Sequence, residues 1–294
     1  MLDLRRLRFL SELARRGTIS EVARVAGYTP SAISQSLAHL EREAGIALLE
    51  RDGRRVRLTP AAHRLVERTE RALAELDAAE AELAAEHGAV RGTVVIGAFP
   101  TAAAGVVIPA VRALRERHVD LACTVREHEH EPEDGVALLR AGELDVLVSE
   151  SYDYAEPAAV GGLEQRLLLT EPLLLVLPRE HPAEAPVDLR DLADAPWIAG
   201  LAGTQFAAAL DRTCRAAGFA PRIVHRADDA ALHRALAAAG LGVGLLPALA
   251  CEGLEEVRFA PVAPPEPRRH VWALVRRGAA RRPALAAVLD ALAP

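Results

Sequence analysis

The chain has 294 residues, 51% of them apolar and 26% charged, with a formal net charge of −6. That is room for about two ordinary domains with real cores, and no apolar run reaches the roughly 18 residues of a membrane span. The charged opening MLDLRRLRFL does not fit an export signal, so a cytoplasmic location with no membrane partner is expected. Cys123, Cys214 and Cys251 stand at unrelated spacings and fit reduced thiols better than a disulfide framework.

The charge is unevenly spread. Every basic residue is Arg, and residues 1–60 hold 11 Arg against 7 acids, whereas the remainder holds 24 against 34. A basic head on an acidic body assigns any polyanionic partner to the head.

Leu4, Leu7, Leu10 and Leu13 recur at helical spacing over residues 3–16, and Gly17 ends that helix. Thr18 with Glu21 predicts a capping box opening a short helix, with Val22, Ala23 and Ala26 on its apolar face. Gly27 stops it. Thr29 caps the next helix, and Pro30 fits its first position, where a missing N–H costs nothing. Ile33, Leu37, Leu40 and Ala44 form the buried stripe. Two short helices about a Gly-containing turn, with small Ala23 where they cross, predict a helix-turn-helix. Thr29, Ser31, Ser34, Gln35 and His39 lie off the stripe, where short polar groups can meet base edges and phosphates in a major groove. The plainer reading is a solvated face, and for His39 alone it is the better one. In LLERDGRRVRLTP, Asp52-Gly53 joins two short runs into a hairpin. Arg51, Arg54, Arg55 and Arg57 surround its turn, as a wing on DNA backbone and minor groove requires. A charged surface hairpin is the alternative.

The run FLSELARRGTISEVARVAGYTPSAISQSLAHLERE…LLERDGRRVRLTP resembles the N-terminal domain of LysR-type transcriptional regulators, continuously from about residue 4 to residue 65. It departs in places: Thr29-Pro30-Ser31 stands where the family often has Ser-Gln-Pro, and Gln35 where it often has Arg. Val22-Ala23 replaces the usual Ala-Ala, and Ala62 the usual Gly. The resemblance therefore carries base contacts to Thr29, Ser31, Ser34 and Gln35 by position, and implies double-stranded operator DNA without its sequence.

Thr59-Pro60 repeats the capping logic and starts a long helix. Leu65, Thr69, Ala72, Leu76, Ala79 and Leu83 follow a heptad spacing along a rod of about 40 Å. Such a seam predicts pairing with a second copy, and the resemblance implies a dimerisation helix, with a tetramer also open. A helix packed on its own domain is the alternative.

Beyond residue 88, TVVIGAF (93–99), LACTVREH (121–128) and LDVLVS (144–149) read as strands of a parallel sheet separated by helices. QRLLLTEPLLLVLP runs extended through Pro172 into a second lobe. There WIAGLAG, a helix near 203–217, IVHRAD, a helix near 229–239 and GVGLLP repeat the pattern. VWALVRR (271–277) and a helix at 281–292 return to the first lobe. The expected fold is α/β: a winged helix-turn-helix (1–59), a linker helix (60–88) and a two-lobed domain (89–294). Lobe I takes about 89–168 and 269–294, and lobe II about 169–268. This is similar to the family's effector domain, itself similar to periplasmic binding proteins.

Ligands of open parallel sheets sit beyond the carboxyl ends of the strands. Helices predicted at Pro100-Thr101 and Gly203-Thr204-Gln205 would offer free N–H groups to a small anion. The resemblance implies that Thr101, Ser149, Thr204 and Asp228 line the cleft, with Phe99 and Pro100 as its wall. Each Thr serves equally as a plain helix cap, and Asp228 equally as the cap of the helix at 229. The expected effector is a small carboxylate or an amino acid.

HEHEPED (128–134) places His128 and His130 among acids, which reads as a solvated loop, with a metal site as the alternative. The sequence has no Walker loop, no nucleophile elbow and no paired-His zinc signature. No cofactor, metal or catalytic residue is therefore expected. The combined expectation is an effector-modulated transcription regulator. The alternatives are a constitutive regulator with an empty cleft, a solute-binding protein, and an enzyme on that scaffold.

Overall fold

The computed structural model describes residues 2–52, 55–86, 90–127, 132–140, 142–153, 162–251 and 256–293. Local capping shapes the head. Helix α1 (Leu4–Arg16) starts at Asp3, whose carboxylate accepts from the Arg6 N–H, and stops at Gly17 with φ 73°. Helix α2 (Ile19–Ala26) is capped by Thr18 and ends at Gly27, where φ is 70°; only Gly adopts that conformation without strain. The capping box is half made. Thr18 accepts from the Glu21 N–H, but the Glu21 carboxylate pairs with Arg24 one turn on, because a charge-assisted bond outcompetes one to a neutral N–H. Helix α3 (Pro30–Ala44) begins at Thr29, which accepts from the Ala32 N–H. Leu10, Leu13, Val22, Ala23, Ile33, Leu37, Leu40 and Leu48 are buried in one core between the three helices.

Strands β1 (Leu49–Asp52) and β2 (Arg55–Leu58) form the expected antiparallel hairpin, Leu49 opposite Leu58. Thr59 then caps α4 (Pro60–Glu86), a helix of 27 residues, by accepting from the Ala62 N–H. Ala62 and Val66 belong to the head core, and α4 also packs against residues 279–281 and the C-terminal helix of lobe I. Thr69, expected on the seam, is consequently buried within the monomer, whereas Leu76 is 46% exposed. The first half of the rod thus rests on its own chain.

Lobe I begins with β3 (Gly92–Ala98), after which α5 (Pro100–Ala102) runs through a π turn (Ala103–Val107) into α6 (Ile108–Arg117). Next come β4 (Leu121–Glu127), α7 (Pro132–Arg140), β5 (Val146–Tyr152) and the 16-residue β6 (Leu163–Pro178). Lobe II holds β7 (Pro196–Ala199), α8 (Gln205–Ala216), β8 (Arg222–Arg226), α9 (Ala230–Ala238), β9 (Gly244–Pro247) and β10 (Val257–Ala260). The chain returns through β11 (Arg268–Arg276) to α10 (Pro283–Leu292).

The expected parallel strands are present, and the sheet extends beyond them with strands of opposite direction. Strands β3, β4 and β5 are parallel, but β11 lies antiparallel between β5 and β6. The two lobes share β6. Its first half pairs with β11 and its second half with β9 and β10. The exchange falls at Pro172, opposite Arg268, where a residue with no N–H costs the ladder least. Separate apolar cores fill the lobes, around Ile96, Val148 and Leu285 in lobe I and around Leu175, Trp197 and Leu245 in lobe II.

Candidate DNA-binding face and effector cleft

The buried stripe of α3 sets what it shows to solvent. With Ile33, Leu37 and Leu40 facing the core, Thr29, Ser31, Ser34, Gln35 and His39 are all exposed along the other side. The Thr29 hydroxyl is committed to its capping bond and lies 3.0 Å from Ser31 Oγ. Arg51 and Arg55 stand in the wing strands, opposite Val56 and Asp52, and Arg54 lies outside the described residues. Glu41, unmarked in the sequence, anchors the wing. Its Oε1 accepts from the N–H groups of Leu48 (2.8 Å) and Leu49 (3.0 Å), fixing the hairpin to α3.

In the cleft, Thr101 and Phe99 come together around Arg269, which lies just before the strand read at 271–277. Arg269 is 2% exposed. Its Nε and Nη2 donate to Glu171 Oε1 at 2.9 and 2.6 Å, and its Nη1 donates to Glu150 Oε2 at 3.0 Å and Thr101 Oγ1 at 3.1 Å. The guanidinium carbon lies 5.0 Å from the centre of the Phe99 ring, within cation–π range. Tyr152 donates to the second oxygen of Glu150, and the second oxygen of Glu171 accepts from the Leu249 N–H of lobe II at 2.6 Å. Burial opposes the charge of Arg269, yet the adjacent Glu150 and Glu171 carboxylates hold its pKa above the ordinary value. Burial, reinforced by the Glu150 charge, pushes the Tyr152 phenol well above its usual range. Thr101 does not cap its helix: Phe99 occupies the cap position with no side-chain bond. As the second residue of α5, Thr101 stands past the cap position, and its hydroxyl accepts from Arg269 instead.

The lobe II residues form a second set. Thr204 caps α8, accepting from the Ala207 N–H at 3.2 Å and donating to the Leu201 carbonyl at 2.9 Å. Gly203 (φ 96°) turns the chain into it, and Gln205 is its first residue. Asp228 is not the cap of α9. Asp229 has that position and accepts from the Leu232 N–H, while Asp228 Oδ1 accepts from the Leu201 N–H at 2.8 Å. A Cβ on Gly200 would lie 2.8 Å from that same oxygen and 2.9 Å from the Ala207 N, so a glycine is what leaves room for Asp228 beside the turn that leads into α8. The two sets meet where Tyr152 and Phe206 stack at 6.2 Å. Ser149 is half-buried on β5 opposite Trp272, and Pro100 is exposed.

The signal for Arg269 was present in strand alternation. It shares a face of β11 with Val271, Ala273 and Val275, all buried, and a charge in a buried row implies partners. His128 and His130 lie outside the described residues. Among the described residues no group of His, Cys, Asp or Glu is placed to hold a metal ion, and no helix is long and apolar enough to cross a membrane.

Comparison with known proteins agrees with this architecture. Residues 4–63 match the bacterial regulatory helix-turn-helix protein, lysR family, and residues 87–294 match the LysR substrate binding domain. The transcriptional dual regulator GltC of Bacillus subtilis is 30% identical over 249 residues, 84% of this chain and 81% of that protein. A probable hydrogen peroxide-inducible genes activator of Mycobacterium leprae is 30% identical over 282 residues, 94% of this chain and 88% of that protein. A full-length OxyR variant from Pseudomonas aeruginosa superposes with a TM-score of 0.76 at 22% identity, covering 99% of this chain and 95% of that one. The chain therefore belongs to the LysR family, as a DNA-binding transcriptional regulator modulated through an effector-binding domain.

Proposed function

We propose that α3 lies in the major groove with Ser31, Ser34 and Gln35 at base edges and Thr29 and His39 at its margins. The wing arginines Arg51, Arg54 and Arg55 then meet the phosphate backbone. The division of α3 into a buried apolar row and an exposed row of short polar side chains carries this reading, because major-groove readout requires such a face. Two copies pair through the outer half of α4, where Leu76 is exposed, and so present two heads to two half-sites. The chain acts in the cytoplasm without catalysis. Its effector is a small carboxylate or an amino acid, held at the first turn of α8 where N–H groups lack intrahelical partners. Ligand favours one lobe arrangement and thereby shifts the population of head spacings.

Peroxide is not the proposed signal. The thiolate is the reactive form of cysteine. Burial pushes the Cys214 and Cys251 thiols up to about 12, and the Cys123 thiol also upward.

The test is Ser34→Ala with Gln35→Ala. A good base-pair contact is worth about 1–3 kcal/mol of discrimination, so operator affinity falls at least tenfold while affinity for random DNA changes little. Equal losses on both would refute base readout.

A further inference from the structure

Beside the packing of α4 on lobe I, the head and lobe I also meet at a junction held by charge. Arg15 and Arg16, in the last turn of α1, both donate to one oxygen of Glu143, Arg15 at 3.1 Å. Glu12, one turn back, pairs with the same two arginines, Arg16 at 2.7 Å. The four side chains are between 17% and 29% exposed. Glu143 stands on a fixed turn. It follows Gly142, whose φ is 74°, and its N–H donates to the Leu138 carbonyl at 3.0 Å. Two residues on, Asp145 accepts from the Val95 N–H at 2.9 Å and from Arg282 at 3.1 Å. Burial works against the charge of Arg16, but Glu12 and Glu143 hold its pKa above the ordinary value.

Beside these pairs lies a cavity of about 640 Å³ between head and lobe I, bordered by Phe9, Glu12, Arg15, Val66, Glu143 and Arg282. Ser11 also borders it, and its hydroxyl is buried without a hydrogen-bond partner. The head core and the lobe I core are separate clusters, so this contact is not a piece of continuous core. It is clipped by ion pairs beside that solvent-open cavity. Partly exposed ion pairs are individually weak and screened by salt, which makes the contact reversible where apolar packing would not be. The orientation of α1 passes directly to α3, because Leu10 and Leu13 share one core with Ile33 and Leu37.

We propose that Glu143 and the Arg15–Arg16 pair form an ionic latch that docks the head on lobe I, and that its opening frees α3 to change angle when the lobes shift. The consequence for DNA rests on the groove-reading role of α3. The docking itself does not, and is measured on the full chain without DNA, so the two readings fail separately.

The experiment combines hydrogen exchange with small-angle scattering on four chains: wild type, Glu143→Gln, Glu143→Arg, and an inverted quartet carrying Glu12→Arg, Arg15→Glu, Arg16→Glu and Glu143→Arg. Exchange at the last turn of α1 and at the turn around Glu143 rises severalfold in Glu143→Gln, and further in Glu143→Arg, with a larger radius of gyration. The inverted quartet regains both protection and compactness. Wild type in about 1 M salt, where the screening length falls to about 3 Å, behaves like Glu143→Gln. The latch is overturned if Glu143→Arg is as protected and compact as wild type, or if the quartet folds with an unchanged melting temperature yet stays open. Should the quartet not fold, Glu143→Gln decides alone, since it keeps shape and removes charge: wild-type exchange in that variant overturns the proposal.

Discussion

Replacing Arg269 by Met leaves its volume nearly filled but strips Glu150 and Glu171 of the cation they share. Glu171 is buried and Glu150 is largely covered at the seam of the lobes, and Arg269 spends its Nε, Nη1 and Nη2 on them and on Thr101. Removing one partner of a buried ion pair costs about 3–5 kcal/mol, because the remaining charge keeps its desolvation penalty. In a domain of about 200 residues each kcal/mol moves the melting temperature by roughly 2–4 °C, so a fall of about 6–20 °C is expected. Calorimetry of the full chain reads this in the effector-domain transition, and the head, which has its own core, keeps its own. Adding Glu171→Gln to Arg269→Met recovers part of the loss, because one of the two stranded charges is gone. A fall below about 2 °C, on the same scaling, or strict additivity of the two substitutions, would show that water reaches the network and that it does not bind the lobes together.

Two further outcomes follow from buried groups. His233 is 1% exposed, and burial, only partly offset by the Ala227 backbone and the Asp228 charge, lowers its pKa from 6.5 to about 4. The unfolded chain therefore binds a proton that the folded chain refuses between these values, so stability is flat above pH ~6.5 and falls toward pH ~4 by about 3 kcal/mol. Denaturant melts against pH check this, and a His233→Leu chain with the same acid slope would refute the assignment. With Cys214 and Cys251 held near 12, the native chain reacts with a disulfide reagent far more slowly than the unfolded chain, and hydrogen peroxide leaves operator binding unchanged. A peroxide-dependent gel shift lost in Cys214→Ser would overturn the exclusion of a thiol sensor.

Much of the head could be read directly, because its signals act within a few residues. Thr18, Thr29 and Thr59 cap helices as expected, and Gly17 and Gly27 end helices at the positive φ that a left-handed stop needs. Even there Glu21 turned to Arg24 and not back to the cap, since two local partners competed and only their geometry chose. In the cleft, Thr204 makes the plain cap that was weighed beside ligand contact, whereas Thr101 caps nothing and serves Arg269. Residue type predicted a polar contact but not its recipient.

What sequence alone determined was the periodic and the local: which helices form in the head and what caps them, which face of α3 is polar, and that the extended run through Pro172 crosses between lobes. What tertiary structure decided was pairing at a distance. Arg269 finds Glu171 across 98 residues and Thr101 across 168, and Arg16 finds Glu143 across 127. A helical or strand period states which side of an element is buried, but not which element covers it. The insertion of β11 between β5 and β6 settles that, and with it which charges become neighbours out of water.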